Sequence, residues 1–518
     1  MDKTIYLEKL RVKNNPWKVD PADDKRYWGE LEKEIESAKT FDDKDDRLDK
    51  ILDRIINRYN QEIVGNFKIK TFKFSRNFLS AFFKRLLNPA TGKGQKRIWG
   101  NRTQVKQKIK LHGYVDELRS IFQKGTVVIV PTHFSNLDSI LIGYALDAVV
   151  GVPASSYGAG LNLLDNEIVA YFINRLGAYR VDRRKKNPIY LECLKSMASF
   201  SLQKNVNQIF FPGGTRARDG RLEDKLKLGL LGSVVEAQRH AIADQIENKI
   251  YVIPLVLNYH FVLEAKSLIN QYLRSSGKEK YTKSRDGSKS SGTLRKFIWS
   301  LISKQSEIEL SFGKPMDVFG HPVDLEGNSL DKNGNIIDIS GYFKLDGEVQ
   351  TVYQREKVYT KLLGDKIVDS FKVNNVVLSS HLVAFAAFRI LLNKNAELNL
   401  YDVLNIPNSG FEIEKELFLK VLKKMQSALK KLEKQGKLRL SKAILLSTEE
   451  LIEDGIMHLG LYHPQKVLKV KKDGALMSEN FRLLYYYHNR LDSYQLEKSV
   501  KWDDLIEISN PFLENSIL

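Results

Sequence analysis

Three short runs of largely apolar residues, Thr126–Val130, Gln208–Phe211 and Tyr251–Leu257, are separated by stretches long enough for a helix in each gap. Continuous apolar runs of this length belong to strands buried on both faces, and buried strands alternating with helices give an α/β domain. Ile308–Gly313 reads as the last strand of the series. The expected fold is α/β, a mixed sheet flanked by helices over residues 111–320, between an N-terminal helical region (1–110) and a mainly helical C-terminal region (321–518). At 518 residues, 42% of them hydrophobic, the chain is too long for one ordinary domain.

The flanks carry weaker signals. Residues 1 to about 60 are charged and helix-prone, a solvated helical region without legible chemistry. Phe74, Phe78, Phe82 and Leu86 then recur every four residues, flanked by Leu79 and Phe83, with Lys73, Arg76, Lys84 and Arg85 among them. That spacing predicts an amphipathic helix over 72–88, fit either to lie on a membrane surface or to pack against the next domain. Residues 276–296, rich in Ser, Gly and Lys, read as a mobile basic loop. Asp331–Asn335 reads as an Asn-Gly hairpin turn rather than a calcium loop, because the terminal Glu of that loop is missing. Leu417, Val421, Met425, Leu429 and Leu432 mark a long helix that Gly436 ends.

A net charge of +19 draws the protein to anionic surfaces: nucleic acid, acidic lipid or phosphorylated metabolites. No zinc spacing or aromatic RNA-binding signature supports the first. A single cysteine, Cys193, excludes an internal disulfide and any multi-cysteine metal site, and fits a reducing compartment. The first residues lack the apolar core of a secretory signal. Residues 148–164 and 373–388 lack Lys, Arg, Asp and Glu, but both are too short and too rich in polar residues to span a bilayer. A membrane role is therefore expected to be peripheral or monotopic, on the cytoplasmic face.

Chemistry concentrates in three segments. After the first apolar run comes Pro131-Thr132-His133-Phe134-Ser135-Asn136-Leu137-Asp138, leading into an apolar helix. A strand, loop and helix of this kind set His133 in the loop and Asp138 in the first helical turn, where its carboxylate can reach back to the imidazole. A hydroxyl is a poor nucleophile at neutral pH and needs a neutral histidine as base, held in one tautomer by a carboxylate. The same segment also fits a plain helix start, with Ser135 as cap and Asp138 completing a capping box. The second segment is Asn174–Lys186 and the third Phe210–Arg221; both combine glycines with arginines after a strand, a composition suited to phosphate oxygens or to a surface basic patch.

In order and spacing these segments resemble the conserved blocks of the glycerolipid acyltransferases. His133, Ser135 and Asp138 match the H-x-S-x-x-D block, Gly177 to Arg183 the second, Phe211 to Arg218 the F-P-E-G-T-R-S-R block, and Val252-Ile253-Pro254 resembles the fourth. Glu62–Phe67, Gly160–Leu163, Ile308–Pro315 and Leu483–Arg490 resemble segments of the branch that acylates glycerol 3-phosphate or dihydroxyacetone phosphate. Two positions depart from the pattern: Gly213 stands where most members have glutamate, as the plant plastid branch also lacks that acid, and Arg180 replaces a usually hydrophobic residue.

The resemblance implies an acyltransferase domain in which His133 deprotonates the acceptor hydroxyl and Asp138 orients the imidazole. Arg183, Arg216 and Arg218 would hold the acceptor phosphate, and backbone N–H groups near Gly214 would stabilise the oxyanion. It implies glycerol 3-phosphate, acylated at its sn-1 hydroxyl to lysophosphatidate, as acceptor, and acyl-CoA or acyl-carrier protein as donor. An anionic membrane surface is the expected partner, with no nucleic acid, metal or redox cofactor. Dihydroxyacetone phosphate and lysophosphatidate are the neighbouring acceptors, and a catalytically silent membrane scaffold is the reading of another class.

Overall fold

The computed structural model describes residues 1–17, 20–87, 109–160, 170–171, 174–276, 307–407, 411–461 and 463–505, with the backbone alone for 79, 80 and 82–87. Leu161 to Leu163, the basic loop and the side chains of Leu79, Phe82, Phe83, Lys84, Arg85 and Leu86 lie outside the described residues.

Residues 1–63 are more than a solvated region. Helix α1 (Asp2–Asn14) buries Ile5 beside Thr4, Glu8 and Arg11, while α2 (Asp24–Ala38) and α3 (Lys44–Ile63) carry apolar stripes at helical spacing, Leu31 and Ile35 on α2 and Ile51, Ile55, Tyr59 and Ile63 on α3. These close a small core around Trp28 that also takes in Tyr179, Tyr190, Cys193 and Leu194 of the α/β domain. Around that core runs a buried charge network. Arg11 pairs with Glu8, Asp20 and Asp24, and Arg58 with Asp23 and Asp24. Helix α4 (Ile69–Leu87) follows, as the four-residue recurrence predicts.

Seven strands form one sheet: β1 (Ile109–Gly113), β2 (Thr126–Pro131), β3 (Ser156–Gly160), β4 (Ala178–Val181), β5 (Gln208–Ile209), β6 (Ile250–Tyr259) and β7 (Ile308–Phe312), in the order β1-β7-β6-β2-β5-β3-β4. Strands β2 to β6 run parallel, β7 runs antiparallel to β6, and β1 lies parallel to β7, so the sheet is mixed. β2 and β6 are buried along their whole length, as continuous apolar runs require. The run at 208–211 yields only two residues of strand. Phe210 still donates its N–H to the Ile129 carbonyl at 3.2 Å, and the chain then leaves the sheet at Pro212.

Between the strands lie α5 (Val115–Ile121), α6 (Asp138–Tyr144), α7 (Pro188–Gln203), α8 (Leu228–Ala243) and α9 (Ala265–Ser275). The C-terminal region adds α10 (Tyr353–Asn374), α11 (Ser379–Lys394), α12 (Lys415–Lys434), α13 (Thr448–His458) and α14 (Phe481–His488). α10 joins α7 and α8 on the sheet, while α11 is wrapped by α12, α13 and α14. Every residue of α11 from Ser379 to Phe388 is buried, which explains the charge-free stretch there: it is a helix enclosed by protein on all sides. No described helix is long and apolar enough to cross a membrane. The Asn-Gly turn joins two antiparallel segments, Ser329–Leu330 and Ile336–Ile337, with Gly334 at φ +87°. Gly436, at φ +68°, follows the end of α12. One hydrophobic core runs from Ile109 in β1 to Val500, uniting the sheet with the C-terminal helices.

Candidate active site

Parallel strands place their following loops along one edge of a sheet, the usual location of an α/β site. β2, β4, β5 and β6 all end at that edge here, and the three segments singled out in the sequence follow the first three.

His133 and Asp138 meet. The imidazole Nδ1 and Asp138 Oδ2 are 2.9 Å apart, and Nε2 has no hydrogen-bond partner among the described residues. The same Oδ2 accepts the N–H groups of Phe134 at 2.7 Å and Ser135 at 2.9 Å, while Oδ1 accepts the Tyr259 hydroxyl at 2.7 Å. The helix-start role and the imidazole-orienting role therefore coexist in one carboxylate: Asp138 closes the turn that carries His133 and holds its ring. Asp138 is fully buried, so these donors supply the solvation that water cannot. Burial and the Asp138 charge push the Tyr259 phenol well above its ordinary value, which keeps it a donor. The imidazole stacks on Phe211 of the third segment, 4.1 Å between centroids.

The loop's far side rests on Glu264, whose carboxylate accepts Ser135 Oγ and the Asn136 N–H, each at 3.0 Å. Its Oε1 also lies 3.3 Å from Arg216 Nη1, tying the third segment to the first. Ala217 donates its N–H to the His133 carbonyl at 2.7 Å, a second tie. Arg218 and Arg183 are exposed, and neither is ion-paired among the described residues. Arg183 sits below the ordinary arginine value, first through partial desolvation and then through the positive charges of Arg216 and Arg218. Three guanidinium groups from two loops thus converge, a positive site suited to a phosphate.

The rest of the second segment does something else. Arg184 bonds Asp182 and Asp20, and Lys185 bonds Glu62, so both face the N-terminal bundle rather than the site. Arg180 donates to the Gln61 carbonyl at 2.6 Å, satisfying a free carbonyl in the last turn of α3. That accounts for a cation at a usually hydrophobic position. Gly65 lets the chain cross there, since a Cβ would stand 2.2 Å from the Ala178 carbonyl oxygen.

Gly214 has φ +70° and donates its own N–H to the Phe211 carbonyl at 3.0 Å. That amide is occupied by the turn, whereas the N–H groups of Thr215 and Arg216 donate to no described group. The Lys227 side chain passes so close that a Cβ on Gly214 would meet its Cδ at 2.5 Å.

Three contributors were invisible in the sequence, Tyr259, Glu264 and Glu223, and a fourth, Arg490, stood in the Leu483–Arg490 segment without an assigned role. Glu223 Oε1 accepts the His133 N–H at 2.8 Å. Arg490 is buried with its guanidinium 3.7 Å above the Phe134 ring centroid, and burial lowers it to about 10. Arg490 lies 357 residues from His133 in the chain, and no local pattern marks the other three.

Residues 108–258 match the Acyltransferase family. Over 262 residues the chain is 25% identical to the glycerol-3-phosphate acyltransferase of Ectopseudomonas mendocina, covering 50% of this chain and 27% of that one. Over 225 residues it is 27% identical to the enzyme of the same name from Aeromonas hydrophila, covering 43% and 24%. The chain thus spans about a quarter of the length of these curated relatives. Among solved structures it is similar to the 1-acyl-sn-glycerophosphate acyltransferase of Thermotoga maritima, at 15% identity and a TM-score of 0.24, over 56% of this chain and 78% of that one.

Proposed function

We propose, for a chain whose residues 108–258 match the Acyltransferase family, transfer of a fatty acyl group from a thioester, on CoA or acyl-carrier protein, to the sn-1 hydroxyl of glycerol 3-phosphate, giving lysophosphatidate. One observation carries this reading: a histidine with an oriented Nδ1, and an Nε2 unpartnered among the described residues, shares its sheet edge with three converging arginines. The arginines hold the phosphate, which places the hydroxyl beside Nε2; positioning of this kind supplies much of a catalytic rate.

As the hydroxyl oxygen attacks the thioester carbonyl carbon, its proton passes to Nε2 of His133, and Asp138 stabilises the imidazolium that forms. The tetrahedral oxyanion accepts from the Thr215 and Arg216 N–H groups. Collapse breaks the carbon–sulfur bond, and the leaving thiolate takes up the proton. The products are an ester and a free thiol.

Helix α4 supports a peripheral stance at a membrane, since Phe74 and Phe78 are both 59% exposed beside the exposed Lys73 and Arg76. Such a face suits a lipid surface that delivers the donor and receives the product.

The test is free-thiol release from an acyl-CoA and, separately, from acyl-carrier protein, on adding glycerol 3-phosphate, dihydroxyacetone phosphate or lysophosphatidate in turn. Release with glycerol 3-phosphate above the other two supports the reading. Release with lysophosphatidate alone reassigns the acceptor, and none with any pair sinks the enzyme assignment.

A further inference from the structure

We propose that Glu223 is a positioning residue for His133, supplying from the loop after the third segment a carboxylate that Gly213 does not carry. The inference rests on the acyl-transfer reading above and concerns how this chain in particular holds its base.

A Cβ built on Gly213 would stand 3.1 Å from Glu223 Cγ and 3.3 Å from its Oε1. The space beside residue 213 is thus already filled, by an acid that arrives from ten residues further along. Its Oε1 takes the His133 N–H at 2.8 Å, fixing from behind the residue whose ring Asp138 fixes from the front. Ala217 holds the His133 carbonyl, so both backbone polar groups of the base are pinned.

The loop that delivers Glu223 is itself held by the C-terminal region. Gly220 approaches so closely that a Cβ would meet the Tyr486 carbonyl oxygen at 2.2 Å. Asn489 donates to the Asp219 carbonyl at 2.8 Å, and Arg221 pairs with Asp492 at 2.9 Å. Three contacts over three successive residues are more than a surface turn requires, and they fix where Glu223 must stand.

Glu223 Oε2 is buried with no hydrogen-bond partner among the described residues, an arrangement that costs stability and is uncommon in folded proteins. Desolvation raises this carboxyl to about 7, opposed by the His133 N–H and by the Arg490 charge. A leucine of similar volume would relieve the cost but lose the His133 N–H. That the acid is present marks the bond to His133 as the reason for it.

The experiment compares the full-length wild type with Glu223→Leu, Glu223→Gln, Gly213→Glu and the double variant Gly213→Glu/Glu223→Leu. Each is checked for folding by thermal melting. Thiol-release kinetics are paired with NMR of the ¹⁵N-labelled imidazoles, reading the His133 Nδ1–H signal. Glu223→Leu is expected to lower kcat by about ten-fold or more while shifting either KM by less than about two-fold, because a displaced base slows chemistry rather than binding. Glu223→Gln, whose carbonyl still accepts the His133 N–H, should keep most of the activity. The double variant, with the acid moved to the vacated space, should recover kcat and the Nδ1–H signal together, and should exceed Gly213→Glu alone.

A Glu223→Leu enzyme with wild-type kcat overturns the proposal, and so does a double variant no better than Glu223→Leu by either readout. If Glu223→Leu fails to fold, the double variant against Gly213→Glu decides by the same measures. If wild type itself transfers no acyl group, the function reading fails, and the Nδ1–H signal across the series still decides the positioning role.

Discussion

The Tyr259 hydroxyl donates to Oδ1 of Asp138 at 2.7 Å, so a residue at the end of β6 sets the polarity of a carboxylate in the first turn of α6. With Oδ1 engaged in this way, Oδ2 is left to accept His133 Nδ1 and two backbone N–H groups. His133→Ala is therefore expected to lower turnover by roughly 10² to 10⁴ with the fold intact, since the other donors to Asp138 persist. Asp138→Asn should be milder, because one amide oxygen can replace Oδ2, and Tyr259→Phe milder still. Thiol release by the three purified variants checks the order; turnover by His133→Ala near that of wild type would remove His133 from the chemistry.

The converging arginines make a second expectation. Arg183→Ala, Arg216→Ala and Arg218→Ala should each raise the KM of the phosphorylated acceptor more than that of the donor, by about ten-fold, the loss of one charge-assisted bond. Arg216→Ala also frees Glu264, which still holds Ser135 and Asn136. Should only the donor's KM rise, the cluster serves the donor's phosphates instead.

Arg184 and Lys185 tie two cores together. Replacing Arg184 by Ala strands Asp182 in a mostly buried place, at a cost of about 3 kcal/mol. The expected signature is a lower melting temperature with faster proteolysis of residues 1–63, while the KM for the acceptor stays put. A rise in that KM instead would mean that Arg184 reaches the substrate.

Glu223 predicts a pH trend of known sign. Its folded value, raised to about 7 from 4.5, means that between these pH values the unfolded chain releases a proton that the folded chain keeps. The native state therefore loses stability, relative to the unfolded, as pH rises through this window. Glu223→Gln abolishes the effect, so the variant should gain on wild type by about 3 kcal/mol between pH 4 and pH 8. Denaturant melts of both proteins at the two pH values measure it; a constant gap would show that the carboxyl titrates normally.

For the membrane, Phe74→Ser/Phe78→Ser should leave a folded protein that sediments less with anionic vesicles than wild type does. Moderate salt should release only part of the wild type, because basic residues contribute about 1 kcal/mol each while apolar burial is not screened. Wild type that ignores vesicles would leave α4 without this role.

Legibility in the sequence followed distance along the chain. The sheet, the Asn-Gly hairpin and the long α12 were readable because each is written in a local period or turn. His133 and Asp138 were readable as a pair because a loop and one helical turn bring residues five apart together. Arg183 and Arg184, by contrast, are neighbours of the same type that turn to opposite tasks, and only the N-terminal carboxylates that receive Arg184 decide which is which. Arg180 was opaque for the same reason: the carbonyl it satisfies lies 119 residues earlier. Glu223 is polar in an unremarkable loop, and only Gly213, 10 residues away, gives it meaning.

The contact of Arg490 with Phe134 bears on how such proteins can be cut and recombined. The histidine-bearing turn has its floor laid by a residue near the other end of the chain, so residues 108–258 by themselves are not a portable catalytic cassette. Grafting that segment onto another scaffold would transplant His133 and Asp138 while leaving behind the guanidinium packed on Phe134. A working chimera has to carry α14 and the turn after it, with Arg490, along, or find a cation of equal reach in its new host.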